Sequence, residues 1–122
     1  MDEIVMYIIL RTDLHMSPGK AGAQIGHAVH LAIREAERAR IGGESGWLDT
    51  WERGSYPKII LAARSENELI GIFQELEKDD ISAVFVVDEG RTEIKPGKTA
   101  IGVVPNPKSR ASKILGGLPL YR

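Results

Sequence analysis

SPGKAGAQIGHAVHLAIREAERAR, residues 17–40, reads as one long helix with an ordinary rear half and an unusual front. Ser17 is a good N-cap and Pro18 a good first helical residue, because a first-turn N–H has no intrahelical partner to lose. Apolar residues recur at Ala21, Ile25, Ala28, Val29, Ala32, Ile33 and Ala36, the i, i+3, i+4 rhythm of a buried stripe. The front breaks local rules. Gly19, Gly22 and Gly26 crowd its first turns, where an interior glycine costs roughly 1 kcal/mol against alanine. Lys20 lies in the first turn, where the helix dipole prefers an anion. At about 100° per residue, Lys20, Gln24, His27 and Leu31 share a strip roughly 60° wide beside the apolar stripe. One face thus offers a cation, an amide and an imidazole, next to glycines that admit a close ligand or backbone and a helix N-terminus suited to an anion. Clustered rule-breaking points to a site; a solvated polar face with glycines for tight packing is the competing reading.

The 122 residues supply one core and not two, so a single domain over residues 1–122 is expected. With 43% hydrophobic and 27% charged residues the chain is globular, not disordered. The absence of cysteine excludes a disulfide framework, thiolate zinc sites and a cysteine nucleophile, and is compatible with a reducing cytoplasm. The opening MDEIVMYIILRTD starts acidic, and its apolar run is too short for a signal peptide or membrane span; a cytoplasmic location and no membrane partner are expected. A net charge of −1 hides an asymmetry. Through Glu93 there are 10 Lys and Arg against 17 Asp and Glu; beyond it Lys95, Lys98, Lys108, Arg110, Lys113 and Arg122 stand without a carboxylate. Such a segment reads either as a phosphate-binding patch or as a neutralising surface packed on the acidic part.

Residues 4–10 (IVMYIIL) are a short apolar run, read as a buried strand with the polar tip Arg11-Thr12-Asp13. Gly42-Gly43 ends the long helix, with Arg38 and Arg40 in its last turn. Residues 44–51 predict one or two helical turns, with Trp47 and Trp51 at i, i+4 as a lid over the core, nucleic-acid stacking being the alternative. Residues 58–64 (KIILAAR) form a second strand, and Ser65-Glu66-Asn67-Glu68 is a capping box heading a helix to about Lys78. Residues 82–87 (SAVFVV) are a third strand running into Asp88; residues 89–97 are a loop and residues 99–104 (TAIGVV) a fourth strand. Pro105-Asn106-Pro107 reads as a sharp turn, residues 109–115 as a short helix and residues 118–121 as an extended end. The order β-α-β-α-β-loop-β-α is an α/β pattern. Two helical crossovers make the first three strands parallel, and a helix-free return makes the fourth antiparallel. The tips of strands one and three, the head of the long helix and the start of strand four then share one sheet edge, where open α/β sheets bind ligands. That edge collects Arg11, Asp13, Lys20, Gln24, Asp88, Arg91, Thr92 and Thr99.

Asp88 is the sharpest single residue, a carboxylate at the end of an apolar strand with Lys20 in reach. A nearby cation keeps it ionised while burial pushes the other way. An ionised Asp beside a lysine can orient or deprotonate a water, although a carboxylate is a weak base unless its pKa is raised. Thr92, Thr99 and Gln24 are neutral donors for an oxyanion or carbonyl. A structural salt bridge with threonine turn bonds is the alternative. Other templates fit badly. PGKAGAQ lacks the upstream glycine of a phosphate loop, no G-x-S-x-G elbow occurs, and His15, His27 and His30 match no zinc pattern, so no metal is expected.

RTDLHMSPGKAGAQIGHAV (residues 11–29) resembles the signature R-x-D-L-x-M-x-x-G-K-x-A-A-Q-x-x-H-A of type 2 peptidyl-tRNA hydrolases, the archaeal and eukaryotic type. DEGRTEIKPGKTAIGVVPNP (residues 88–107) resembles their second block, D-A-G-R-T-Q-I-x-P-G-x-x-T-V-L-x-I-G-P-x-P, and the likeness extends over nearly the whole chain. It implies a three-layer α/β/α fold with a four-stranded mixed sheet, three parallel strands plus one antiparallel, flanked by helices. It also implies hydrolysis of the ester between a peptide and the 3′ ribose of tRNA, no metal or cofactor, and a homodimer. The catalytic positions map onto Lys20, Gln24, Asp88, Thr92 and Thr99. The tRNA-binding set, meeting the acceptor-stem backbone, is Arg11, Gly19, His27, Arg91, Lys95, Lys98 and Lys108. Gly22, Glu89 and Glu93 depart from the usual alanine, alanine and glutamine, and the block ends VVPNP; both glutamates add negative charge beside Asp88 where RNA phosphates are expected. A non-catalytic tRNA- or protein-binding domain of the same fold is the second hypothesis. A small-molecule esterase, lacking a nucleophile motif, is the third.

Overall fold

The computed structural model describes residues 2–40 and 46–122. Strand β1 (Ile4–Arg11) organises it. Its six middle residues are buried, Val5, Tyr7 and Ile9 in one core and Met6, Ile8 and Leu10 in another, as a strand covered on both faces requires. β1 pairs in parallel with β2 (Lys58–Ala63) and antiparallel with β4 (Gly97–Val103), which pairs antiparallel with β3 (Ala83–Asp88). The order is β2-β1-β4-β3. Strands β1, β2 and β3 therefore point one way and β4 the other, as expected, although only β1 and β2 of the aligned three are hydrogen-bonded neighbours.

Helices α1 (Pro18–Arg40) and α2 (Trp47–Arg53) cover the Met6 face, while α3 (Glu66–Lys78) and α4 (Lys108–Leu115) cover the Val5 face, which makes the three layers. The chain moves from β1 to β2 across one face and from β2 back to β3 across the other, as a single crossover hand demands. The stripe on α1 packs through Ala21, Ala28 and Ala32, and Ala28 rests directly on Gly102 of β4. A Cβ at Gly102 would collide with the Ala28 carbonyl, so this strand position requires glycine for the helix to sit so low.

Several local expectations shift. Pro105-Asn106-Pro107 is not simply a turn: Asn106–Pro107 forms a short strand, β5, antiparallel to the start of β1 through Val5↔Asn106 and Ile4↔Pro107. The sheet thus has five strands, and β5 tolerates Pro107 because it is a short edge. Residues 118–121 line the outer side of β2, where the Ala62 N–H donates to the Pro119 carbonyl at 2.8 Å and the Tyr121 N–H to the Ile60 carbonyl at 2.9 Å, closing an otherwise bare edge. The Ser65 hydroxyl caps the Glu68 N–H at 3.0 Å, but the Glu68 carboxylate reaches back to the Arg64 N–H at 2.8 Å, one residue earlier than a capping box places it. Helix α2 runs from Trp47 to Arg53; the expected start at residue 44 and the Gly42-Gly43 stop lie outside the described residues. Trp51 is the expected lid, 3% exposed with its indole N–H on the Pro57 carbonyl at 2.9 Å, while Trp47 is half-buried beneath the Arg110 guanidinium. Neither is a free stacking platform.

Candidate active site

The ends of β1 and β3, the start of β4 and the head of α1 converge at one end of the sheet. Arg11 finishes β1 with a two-pronged bond to Asp13 (Nε to Oδ1 3.0 Å, Nη2 to Oδ2 2.7 Å), and its Nη1 donates to the Lys98 carbonyl at 2.9 Å. The guanidinium holds the Asp13 carboxyl below the ordinary carboxylate range and ties β1 to β4. The Lys98 N–H in turn donates to Glu66 at the head of α3, at 2.9 Å.

Across this frame Lys20 donates to Asp88 Oδ1 at 2.6 Å, with the side chains 12% and 10% exposed. The other Asp88 oxygen accepts the Gly90 N–H at 2.8 Å. Gly90 has φ of 79°, and a Cβ there would strike the Pro96 ring, so the turn needs glycine. The Lys20 ammonium first, and the Gly90 N–H second, hold the Asp88 carboxyl below its usual range against the opposing effect of burial.

Beneath this pair the sheet is irregular. Val86 pairs with Ala100 but Val87 with Lys98, leaving Thr99 as the extra residue of a bulge. Bulges re-aim side chains beside sites. Here the Thr99 hydroxyl donates to Gln24 Oε1, and both residues are buried, at 0% and 2% exposure. Gln24 therefore does not share an open polar strip with Lys20 and His27; the sheet-facing side of α1 is wider than the apolar pattern indicated. The Gln24 amide nitrogen bonds no described residue and, since no side-chain polar atom here is both sealed and unpartnered, keeps contact with solvent.

The remaining expected residues divide. Gly19, His27, Arg91, Thr92 and Lys95 are exposed at this end, Lys98 is half-buried, and Arg91 is paired with Glu89 at 2.8 Å. Lys108 is not brought here. It follows β5 at the start of β1, about 23 Å of extended strand from Arg11. Arg110 is also at that end, clamping Asn106 and the Asp79 and Asp80 carbonyls. The basic segment is thus split between the two ends of the sheet. The glutamates expected to face phosphates are engaged: Glu89 by Arg91, and Glu93 by the Ser17 N–H and hydroxyl, each at 2.8 Å. The sequence marked Glu93 only as added charge beside Asp88 and Glu66 only as part of a capping box; their bonds to Ser17 and Lys98 had no signal, whereas the unanticipated Gly90 N–H bond had one, the D-x-G spacing of a side-chain-closed turn.

Gly19, Gly22 and Gly26 have open space where a Cβ would stand, so within this chain they serve no tight packing. Among the described residues no group of three or more His, Cys, Asp or Glu could hold a metal, and no helix is long and apolar enough to cross a membrane.

Comparison with known proteins places the chain in a family. A family model described as peptidyl-tRNA hydrolase PTH2 matches residues 4–121. A peptidyl-tRNA hydrolase of Sulfolobus acidocaldarius is 33% identical over 117 residues, covering 94% of this chain and 98% of the relative. One of Methanococcus maripaludis is 34% identical over 114 residues, covering 93% and 95%. The human peptidyl-tRNA hydrolase 2, mitochondrial, is 32% identical over 120 residues, 98% of this chain and 65% of that protein. A solved structure of a protein of unknown function from Agrobacterium superposes over 100% of both chains with a TM-score of 0.57 at 14% identity, a likeness of fold alone. With the matched length spanning both β1–α1 and β3–β4, the chain belongs to the peptidyl-tRNA hydrolase family of the PTH2 type.

Proposed function

We propose that this chain hydrolyses the ester between a peptide, or an N-blocked aminoacyl group, and the 3′ ribose of tRNA. The observation that carries the reading is the Lys20–Asp88 pair, 2.6 Å apart and largely shielded, in a chain of this family. Ester hydrolysis needs a placed water, stabilisation of charge on the carbonyl oxygen and a proton for the departing ribose oxygen. Asp88 accepts a hydrogen bond from the water and takes its proton as the water oxygen bonds to the carbonyl carbon. Lys20 and the Thr92 hydroxyl face the developing oxyanion. When the bond to the ribose oxygen breaks, that proton passes to the ribose, leaving tRNA with a free 3′ hydroxyl and the peptide as an acid. Because Lys20 lowers the proton affinity of Asp88, Asp88 is a better orienter than base, and more of the acceleration falls to charge stabilisation. Gln24 turns its free amide nitrogen to the substrate, held by Thr99 through its oxygen.

Arg11, Arg91, Lys95 and Lys98, with Gly19 and His27 on the head of α1, meet the acceptor stem through its phosphates, which makes binding indifferent to sequence. Lys108, at the far end, is left out of that contact. A homodimer and a cytoplasmic setting belong to the same proposal, supported by the family likeness and by the absence of cysteine respectively. Sedimentation as a 13.4 kDa monomer would remove the first.

The test is cleavage of N-acetylaminoacyl-tRNA against free aminoacyl-tRNA. Release of the N-acetylamino acid, with little action on the free form, is expected. A stable complex with tRNA and no release at saturating enzyme would overturn the enzymatic reading.

A further inference from the structure

We infer that Glu93 is a positioning residue for this site, a latch that fixes Arg91 and Thr92 against the Lys20–Asp88 pair. The inference rests on the hydrolase reading above and adds a residue to it.

Both oxygens of the Glu93 carboxylate are engaged by one residue. Oε2 accepts the Ser17 N–H at 2.8 Å, and Oε1 accepts the Ser17 hydroxyl at 2.8 Å. That hydroxyl oxygen also accepts the Lys20 N–H at 3.2 Å, so the serine that caps α1 hands the position of Glu93 to the backbone of Lys20. Helix α1 has no acidic residue in its own first turn, and Glu93 supplies that charge from another part of the chain. Ile94, the next residue, is 9% exposed in the core beneath α1, so the loop is anchored by an apolar and a charged contact in succession.

The other anchor is the Gly90 N–H on Asp88. Between the two, Arg91 and Thr92 form a two-residue bridge, exposed and fastened at each end. Among the described residues neither side chain bonds the body of the protein: Arg91 pairs with Glu89 in the same loop. Their placement in the loop that follows Asp88 therefore depends on those anchors. The Ser17 contacts hold the Glu93 carboxyl below its ordinary range, so the latch stays charged at neutral pH.

The experiment uses the whole chain with N-acetylaminoacyl-tRNA and a double-variant cycle of Glu93→Ala with Thr92→Ala. If Glu93 acts through Thr92, each single change lowers kcat/KM at least tenfold, and the double variant is within about threefold of the worse single one, well short of the multiplied losses expected of independent sites. Glu93→Gln, which keeps one acceptor oxygen, falls between Glu93→Ala and the native chain. A Glu93→Ala variant with native kcat/KM, or a double variant that shows the full product of the single losses, overturns the inference. Amide exchange separates this failure from failure of the hydrolase reading. Glu93→Ala is expected to speed exchange at Ser17 and Gly90 about tenfold or more while leaving amides in β1 and β4 slow. Unchanged exchange overturns the latch whether or not the native chain cleaves the ester, whereas faster exchange in Glu93→Ala beside a native chain that cleaves nothing retains the latch and loses the hydrolase.

Discussion

Lys20 and Asp88, 68 residues apart in the chain, meet at 2.6 Å across the end of the sheet. Their meeting follows from topology: β3 delivers Asp88 at its last residue, and α1 delivers Lys20 in its first turn. If the pair orients water and stabilises the oxyanion, Lys20→Ala and Asp88→Asn should each lower kcat on N-acetylaminoacyl-tRNA by about 10²–10⁴-fold. Circular dichroism should show both variants folded. Turnover equal to that of the native chain by either one would strip the pair of its role.

The same contact sets the pH behaviour. Asp88 is held below the range of a free aspartate, about 3.9, by Lys20 and then by the Gly90 N–H. A depressed folded pKa contributes stability above the unfolded value and loses it as pH falls through the folded value. Asp88 should therefore give no change in rate or melting temperature from about pH 5 upward, with its acid limb lying below 3.9. In Lys20→Ala the Asp88 carboxyl carbon, followed by NMR, should titrate at higher pH than in the native chain. An unmoved midpoint would mean that Lys20 does not govern the charge.

The meeting of these residues was legible in the sequence because strand and helix punctuation fixes which ends share an edge. Their depth was not. Gln24 looked like part of an open strip because glutamine is polar, yet the bulge at Thr99 turns a hydroxyl under the helix and draws the amide into the core. A bulge is a one-residue slip between strands and leaves no mark in either strand read alone. The basic tail misled for a related reason: charge counted along the chain ignores that β5 returns Lys108 to the opposite end of β1.

The buried Gln24–Thr99 pair invites a stability test that separates it from the surface chemistry. Thr99→Val keeps the shape and removes the donor, leaving the Gln24 carbonyl oxygen unpaired in a residue 2% exposed, at a cost of about 1–3 kcal/mol. A fall in melting temperature of roughly 4–12 °C is expected. Changing both, as Gln24→Met with Thr99→Val, should recover most of that loss because no polar group is left stranded, while activity stays low. If the double variant were as unstable as Thr99→Val, the hydrogen bond would not be the source of the effect.

The glycines of α1 can be set against Gly102 of β4. A Cβ at Gly22 or Gly26 meets nothing, so each alanine variant should gain up to about 1 kcal/mol from helix propensity and melt higher. Gly102→Ala drives into the Ala28 carbonyl and should cost about 1–3 kcal/mol as α1 lifts from the sheet. Differential scanning calorimetry reads both signs. If Gly22→Ala and Gly26→Ala melt higher but lose kcat/KM or assembly, the bare helix face is kept for a ligand or a partner; if they melt higher with neither loss, it is not.

Substrate grip should be electrostatic and confined to one end of the molecule. Removing one cation that neutralises a phosphate should flatten the plot of log affinity against log salt by about 0.7–0.9. Lys95→Ala and Lys98→Ala, at the site end, should weaken tRNA binding and each reduce the slope by about that amount, for every tRNA tried. Lys108→Ala removes an equal charge some 23 Å away and should leave affinity and slope unchanged, since an interaction across that distance is screened beyond a Debye length of about 8–10 Å. Filter binding across a salt series distinguishes the two cases. A Lys108→Ala loss as large as that of Lys95→Ala would extend the RNA footprint along the whole sheet and move its centre away from the Lys20–Asp88 pair.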